Sequence, residues 1–430
     1  MLKKLSDMQN YKKYFRFIKK ILKLPFLLLI HPRVTFKNII NYINIKYFMI
    51  LTGKYKKKPV VVFQMDSLGE RQFFEPTLKA LISKINIILV ISHYGLYKKE
   101  FFIKKEYGNN IIYVNYNLLK LSYIKERISL FLNTEFGGLE EVKNICLFHG
   151  LPSKGVTFPY YKVWEHFDIL FLLGPLQREA YEEAVIKING SVPSKPIAFN
   201  IGYPKSDDLI NGKYDRESFL HKLKLDIKKK TIIYAPAFNE GSSLRCFGLE
   251  IIETLCHLDY NVLAKLPIDC LQPTTNYYAT GGIDWFKEIS VLQNKYNNFK
   301  LVTDLKIDNA LAASDIMITC ISSVGFEFMA IGKPVIFFNT PKYFSDYLQK
   351  LLPNEDMDIF SKKNHVNGGK EWGLVIDTPN ELPDAIDKVL KNPELYPKDP
   401  EKLREYLLYN PGKASEVAAD TIISLLNKNK

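Results

Sequence analysis

A histidine at the end of an apolar run is the first residue able to do chemistry at neutral pH. His149 follows Asn144–Phe148 and opens the string His-Gly-Leu-Pro-Ser-Lys-Gly (149–155). Gly150 lets the backbone turn sharply, Pro152 stiffens it, and Lys154 can face an anion. An imidazole at the carboxyl edge of a strand can take a proton from an attacking hydroxyl. The structural alternative is a histidine that caps its strand by bonding to a loop.

A second constellation runs from Ser314 to Pro334. It reads as a strand, two serines (Ser322, Ser323), a helix containing Gly325 and Glu327, and then Gly332-Lys333-Pro334 before another apolar run. Free N–H groups and partial positive charge at a helix start suit a diphosphate, and the two hydroxyls add donors. Gly325 permits close backbone approach, and Glu327, one turn in, is placed to hydrogen-bond ribose hydroxyls. The plainer reading is a strand and a helix with serine N-caps. A third string, Gly202-Tyr-Pro-Lys205-Ser-Asp207-Asp208, makes a Gly-x-Pro turn that sets Lys205 and Asp207 at a cleft rim. Lys205 joins the phosphate ligands and Asp207 joins His149 as catalytic; alone, the string is simply a turn. A fourth, Tyr234-Ala-Pro-Ala-Phe-Asn239-Glu-Gly241, ends a strand with a glycine-containing loop. Lys265, also at a strand end, is a phosphate candidate or a solvated lysine.

These residues need a scaffold. Val60–Gln64, Ile87–Ile91, Asn110–Val114, Asn144–Phe148, Asp168–Leu173 and Pro196–Asn200 are short apolar runs of the buried parallel-strand kind, separated by helical stretches at Phe73–Ser83 and around 118–132. Arg216–Lys230 is polar and Lys-rich, and the alternation then restarts at Thr231–Ala235. Strands follow at Tyr260–Leu266, Phe299–Val302, Ile316–Ile321, Val335–Phe338 and Gly373–Ile376. Helices are expected at Gly248–Leu258, Asp308–Ala313, Gly325–Ala330, Asn380–Leu390, Pro400–Tyr409 and Lys413–Leu426. Two doubly wound α/β halves in series form a cleft, with ligands outside the carboxyl ends of the strands. The expected organisation is a basic arm (1–57), an acceptor domain (58–215) and a nucleotide-donor domain (216–430).

The net charge of +13 belongs to one end. Residues 1–58 hold fifteen of the 59 Lys and Arg and one of the 46 acids, so the remainder is nearly neutral. A nucleic-acid enzyme more often carries its basic stripe on the folded body, so no nucleic-acid partner is expected. Within residues 11–30 apolar side chains recur at helical spacing between lysines and arginines, but only Leu24–Ile30 is uninterrupted. That is far short of the roughly 20 residues needed to span a bilayer. The arm reads as an interfacial amphipathic helix on an anionic membrane; the alternative is a helix packed on the enzyme's own body. The five cysteines show no CxxC or Cys/His ligand spacing, so reduced thiols are expected, with no metal site and no cofactor.

Taken together and in order, the four strings resemble the CDP-glycerol glycerophosphotransferase family of teichoic-acid primases and polymerases, over roughly residues 140–340. The resemblance implies a GT-B fold, membrane association, a His base at His149 and a pyrophosphate site around Ser322 and Ser323. It implies transfer of a glycerol-phosphate unit from CDP-glycerol, or a similar donor, to a lipid-linked or polysaccharide acceptor at the cytoplasmic face of the membrane. Departures are visible: Lys205 stands for an Arg, Ala237-Phe238-Asn239 for a Thr-x-Arg region, and Cys320-Ile321 for Asp-Tyr. Lys265-Leu266-Pro267 lacks the histidine of a Lys/Arg-x-His-Pro string. That histidine helps hold donor phosphates in the family, so another phospho-polyol or a sugar stays open as the transferred group. Three other readings remain: an isomerase resembling the UDP-N-acetylglucosamine 2-epimerases, a nucleotide-sugar glycosyltransferase of capsule synthesis, and an inactive scaffold of a polymer-export complex.

Overall fold

The computed structural model describes residues 59–65, 70–84, 88–93, 111–115, 119, 125–126, 128–135, 137–271 and 277–428. The basic arm lies outside them. The chain divides into a smaller compact unit, Met1–Asp66 with Asn86–Leu130, and a larger one, Ser67–Ile85 with Phe131–Lys430.

The smaller unit contains three parallel strands, β1 (Val60–Met65), β2 (Ile88–His93) and β3 (Ile111–Asn115). Val60 pairs with Ile88 and Leu89 with Ile111. Val60 to Phe63 are buried without alternation, as expected of strands covered on both faces.

The larger unit opens with helix α1 (Arg71–Lys84) and continues with four parallel strands in sequential order: β4 (Leu130–Asn133), β5 (Asn144–Cys146), β6 (Ile169–Leu172) and β7 (Ile197–Asn200). Between β6 and β7 runs α2 (Pro175–Asn189). It starts with Pro at its first position and stops at left-handed Gly190, whose N–H donates to the Ile186 carbonyl. A second parallel sheet follows, in the order β10-β9-β8-β11-β12-β13. Its strands are β8 (Thr231–Tyr234), β9 (Asn261–Ala264), β10 (Phe299–Leu301), β11 (Ile316–Thr319), β12 (Val335–Phe338) and β13 (Leu374–Ile376). Side chains alternate between two cores. Ile233, Leu263, Met317 and Phe337 join one, and Ile232, Val262, Ile318 and Phe338 the other. The strand order reverses between β8 and β11, and the crevice beyond their carboxyl ends is where such sheets take ligands. Helices α3 (Glu250–Cys256), α4 (Trp285–Lys295), α5 (Asp308–Ala313), α6 (Val324–Ala330), α7 (Leu382–Lys391), α8 (Pro400–Leu407) and α9 (Ala414–Lys428) cover the sheet or close the chain.

Arg216 pins the polar connector: its guanidinium donates to the carbonyls of Ala313, Ile227 and Lys229 and meets Asp315. Two readings of the sequence are corrected. Residues 130–132, read there as the end of a helix, belong to β4, because Leu130–Leu132 are apolar on both faces and wholly buried. The amphipathic helix α4, capped by Asp284, went unread. All five cysteines are unpaired, with Cys246 alone exposed. Among the described residues, no helix is long and apolar enough to cross a membrane.

Candidate active site

Strands β4 and β5 deliver a carboxylate and an imidazole to one place. Just beyond β4, Glu135 takes φ 116°; just beyond β5, Phe148 takes φ 55°. Neither is glycine, so both positions carry backbone strain. These turns bring Glu135 Oε2 to 3.2 Å from His149 Nδ1, which also lies 3.3 Å from the Thr134 carbonyl. The Glu135 carboxylate is buried, while the His149 side chain is 46% exposed. Packing around the ring opposes its charge, but Glu135 and the Thr134 carbonyl outweigh it and lift the imidazole to about 9. Tyr203 donates to the His149 carbonyl at 3.0 Å, and Phe73, near the start of α1, lies 5.9 Å from the imidazole, ring to ring.

Opposite this pair lies the reversal point of the second sheet. Thr319 donates to the Ala235 carbonyl at 2.7 Å, tying β11 to the loop after β8. The serines follow. The amides of Gly325 and Phe326 close the first turn of α6 onto the carbonyls of Ser322 and Ser323. The Ser323 side chain makes no cap bond to the helix. An anion placed at this turn would therefore meet the two hydroxyls and the amides before Gly325. The His149 loop comes close here, since a Cβ added to Gly150 would lie 3.1 Å from Ser323 Oγ.

Beside the serines, Lys205 sits between two buried carboxylates. Its Nζ pairs with Glu327 Oε2 and lies 3.9 Å from Asp308 Oδ1. Burial works against the ammonium, yet the two acids more than offset it and raise its pKa. Two acids share one base, so burial and Asp308 hold Glu327 above its ordinary range despite the lysine. Lys265, at the end of β9, is buried with its pKa lowered by desolvation. Lys154 is lowered by desolvation too, and its Nζ lies 4.8 Å from the centre of the Phe238 ring. A lysine whose charge is disfavoured by burial gains from an incoming phosphate.

Two cavities meet at these residues. One, of about 210 Å³, is lined by Lys205, Lys265, Ser322, Ser323 and Glu327 together with apolar Leu305 and Ile307. The other, of about 490 Å³, is lined by Glu135, Lys154, Tyr161, Phe238, Asn239 and Tyr347. Gln72, Phe73, His149, Pro267, Ile268 and Ser323 border both. Among the described residues no group of three or more His, Cys, Asp or Glu could hold a metal ion.

The profile of the CDP-glycerol:poly(glycerophosphate) glycerophosphotransferase family matches residues 193–424, more than half of the chain. The chain belongs to that family. A curated relative, the teichoic acid glycerol-phosphate primase of Bacillus spizizenii, is 28% identical over 137 residues, which is 32% of each chain. The match thus spans about a third of that relative's length. The solved wall teichoic acid polymerase TagF aligns with 86% of this chain and 89% of its own at 17% identity, with TM-score 0.59. A UDP complex of S. aureus MnaA aligns with 86% of this chain and 97% of its own at 12% identity, with TM-score 0.54. The fold is GT-B, with two Rossmann-like parallel sheets.

Within this glycerophosphotransferase-family fold, His149, Lys205, Lys265, Ser322, Ser323 and Glu327 converge on the smaller cavity, and Lys154 reaches the larger. Asp207 does not join them. Both its oxygens accept backbone amides, from Ala414 at 3.0 Å and Ser415 at 2.7 Å, so it caps α9 instead. Gly325 also lies apart: it is buried and lines neither cavity, and a Cβ there would make ordinary contacts with Phe337 and Thr319. Lys205 and Glu327 line the cavity already paired with each other, where the sequence suggested two independent ligands. Glu135, Asp308 and Phe73 were missed. Reading β4 as a strand would have exposed Glu135, since a residue just past a strand's carboxyl end is a site candidate.

Proposed function

We propose that the protein transfers a glycerol-phosphate unit from CDP-glycerol to a hydroxyl of a lipid-linked or saccharide acceptor in cell-surface polymer synthesis. The observation that carries this reading is the pair of adjoining cavities sharing His149 and Ser323. The nucleotide takes the smaller one. Its ribose hydroxyls meet Glu327, its phosphates meet Lys265, Ser322 and Ser323, and Leu305 and Ile307 cover its apolar faces. The acceptor takes the larger cavity, whose aromatic lining suits a saccharide or polyol end, and Lys154 meets acceptor or donor phosphate. Residues 58–215 then supply mainly the acceptor side and 216–430 the donor side.

In the chemical step the acceptor oxygen attacks the phosphorus that carries glycerol. The bond from that phosphorus to the bridging oxygen breaks, CMP leaves with its charge met by Lys265 and the serine hydroxyls, and His149 takes the acceptor proton. Donors already aimed at the leaving group are commonly the largest catalytic contribution. Because Glu135 holds the imidazole protonated at neutral pH, His149 works as a base from its neutral fraction, and kcat/KM rises with pH up to about 9. A profile that falls through pH 9 would assign His149 as a cation or acid instead. Residues 1–57 hold the enzyme peripherally on the anionic cytoplasmic face of the membrane.

The family name and TagF structures obtained from CDPG soaks support the choice of donor. A thermal-shift series with CDP-glycerol, CDP-ribitol, CMP-, UDP- and GDP-sugars tests it, since a ligand of the native state raises apparent stability. Stabilisation by CDP-glycerol above the others is expected. Stabilisation by a UDP-sugar alone, with turnover in the absence of acceptor, would mark an epimerase.

A further inference from the structure

From the geometry around β4 and β5 we infer that Glu135 is a positioning residue for the reaction, fixing the ring and the charge of His149. The inference rests on the proposed role of His149 as the group that exchanges a proton with the acceptor. Three features support it. Glu135 is a buried carboxylate 3.2 Å from Nδ1. It holds this place at φ 116°, in a backbone conformation that a non-glycine residue keeps only where its surroundings enforce it. The histidine is turned toward it from a second strained position, Phe148 at φ 55°.

With Nδ1 committed to Glu135 and the Thr134 carbonyl, proton exchange with a substrate runs through Nε2. The carboxylate selects the tautomer with the proton on Nδ1 and stabilises the imidazolium formed when the acceptor is deprotonated. The other charges that border His149 are placed differently. Lys154, on the same loop, opposes protonation. Glu70 and Asp269 line the larger cavity, and the Lys205–Glu327 pair and Lys265 line the smaller. Among the described residues, Glu135 is the acid paired with the ring, 3.2 Å from Nδ1.

The isosteric Glu135→Gln variant keeps an acceptor for Nδ1–H and removes the charge; Glu135→Ala removes both. The readouts are the pH profile of kcat/KM and histidine ¹³Cε1 NMR titration of the full chain, which has seven histidines. The wild type should titrate at about 9 in both. Glu135→Gln should move the limb toward the ordinary histidine value of about 6.5, so its activity relative to wild type is higher at pH 7 than at pH 9. Glu135→Ala should also lower kcat on the plateau at least tenfold while CDP-glycerol affinity stays within twofold. An unmoved limb in Glu135→Gln, with His149→Ala inactive, would overturn the inference and leave the base reading standing. A fully active His149→Ala would overturn the base reading itself. Should the glutamate variants fail to fold, a wild-type His149 titrating at or below 7 would overturn the inference equally well.

Discussion

Replacing Lys205 with methionine keeps the aliphatic stem and removes a buried charge. The Lys205 Nζ lies 3.9 Å from Asp308 Oδ1 and nearer still to Glu327. A unit pair at that separation is worth about 4 kcal/mol at an effective dielectric of about 20. Stranding a buried charge by deleting its partner costs about 3–5 kcal/mol. K205M should therefore lose about 3–5 kcal/mol at pH 7, seen as a lower urea midpoint in the fluorescence of the three tryptophans. The deficit should depend on pH in a defined direction. Glu327 already titrates above its ordinary value, and without the lysine it rises further. A carboxyl group whose folded pKa exceeds its unfolded value of about 4.3 costs stability above the folded pKa and none below the unfolded one. The deficit should thus shrink as pH falls from 7 toward 5. Adding E327Q removes one stranded acid and should recover a large part of the loss. Equal stability of K205M and wild type across that range would refute the shared-lysine account. A double variant as unstable as the sum of the singles would refute it too.

Ser322→Ala with Ser323→Ala should raise donor KM at least tenfold and cost less than about 1 kcal/mol of stability, below the usual cap contribution, because Ser323 makes no cap bond; unfolding with unchanged donor affinity would make them structural. Asp207→Ala should cost about 0.5–2 kcal/mol as a lost helix cap and leave donor KM unchanged, checked by denaturation and steady-state kinetics. Deleting residues 1–50 should release the protein from anionic liposomes at modest salt while turnover of a soluble acceptor analogue persists; undiminished sedimentation would contradict the targeting role.

The second half of the fold was legible because its strands are short, wholly apolar runs between polar helices. Residues Val335–Phe338 and Asp308–Ala313 fall where the pattern put them. The first half was harder. Leu130–Asn133 follows a stretch in which apolar and basic residues alternate at helical spacing, and four buried residues cannot outweigh it by pattern alone. The strings at His149, Ser322 and Lys205 pointed to one candidate site, whose cavity they line together, through glycine, proline and hydroxyl residues at strand ends. What they could not announce was pairing across distance. Lys205 meets Glu327 from 122 positions away, and Asp207 meets Ala414 from 207 away. A lone glutamate such as Glu135 signals only through the strand before it, and the rest of its meaning comes from φ and from a histidine beyond the next strand.

His149→Ala decides the central claim most directly, with CMP release from CDP-glycerol and donor dissociation constant measured on the same preparations. The wild type should release CMP only when an acceptor is present. The variant should lose roughly 10²–10⁴-fold in kcat while binding CDP-glycerol within about twofold of wild type, because in the proposed arrangement His149 meets the acceptor and the serines and Lys265 meet the donor. A variant with near-normal kcat, or one whose whole loss lies in donor binding, would contradict the account.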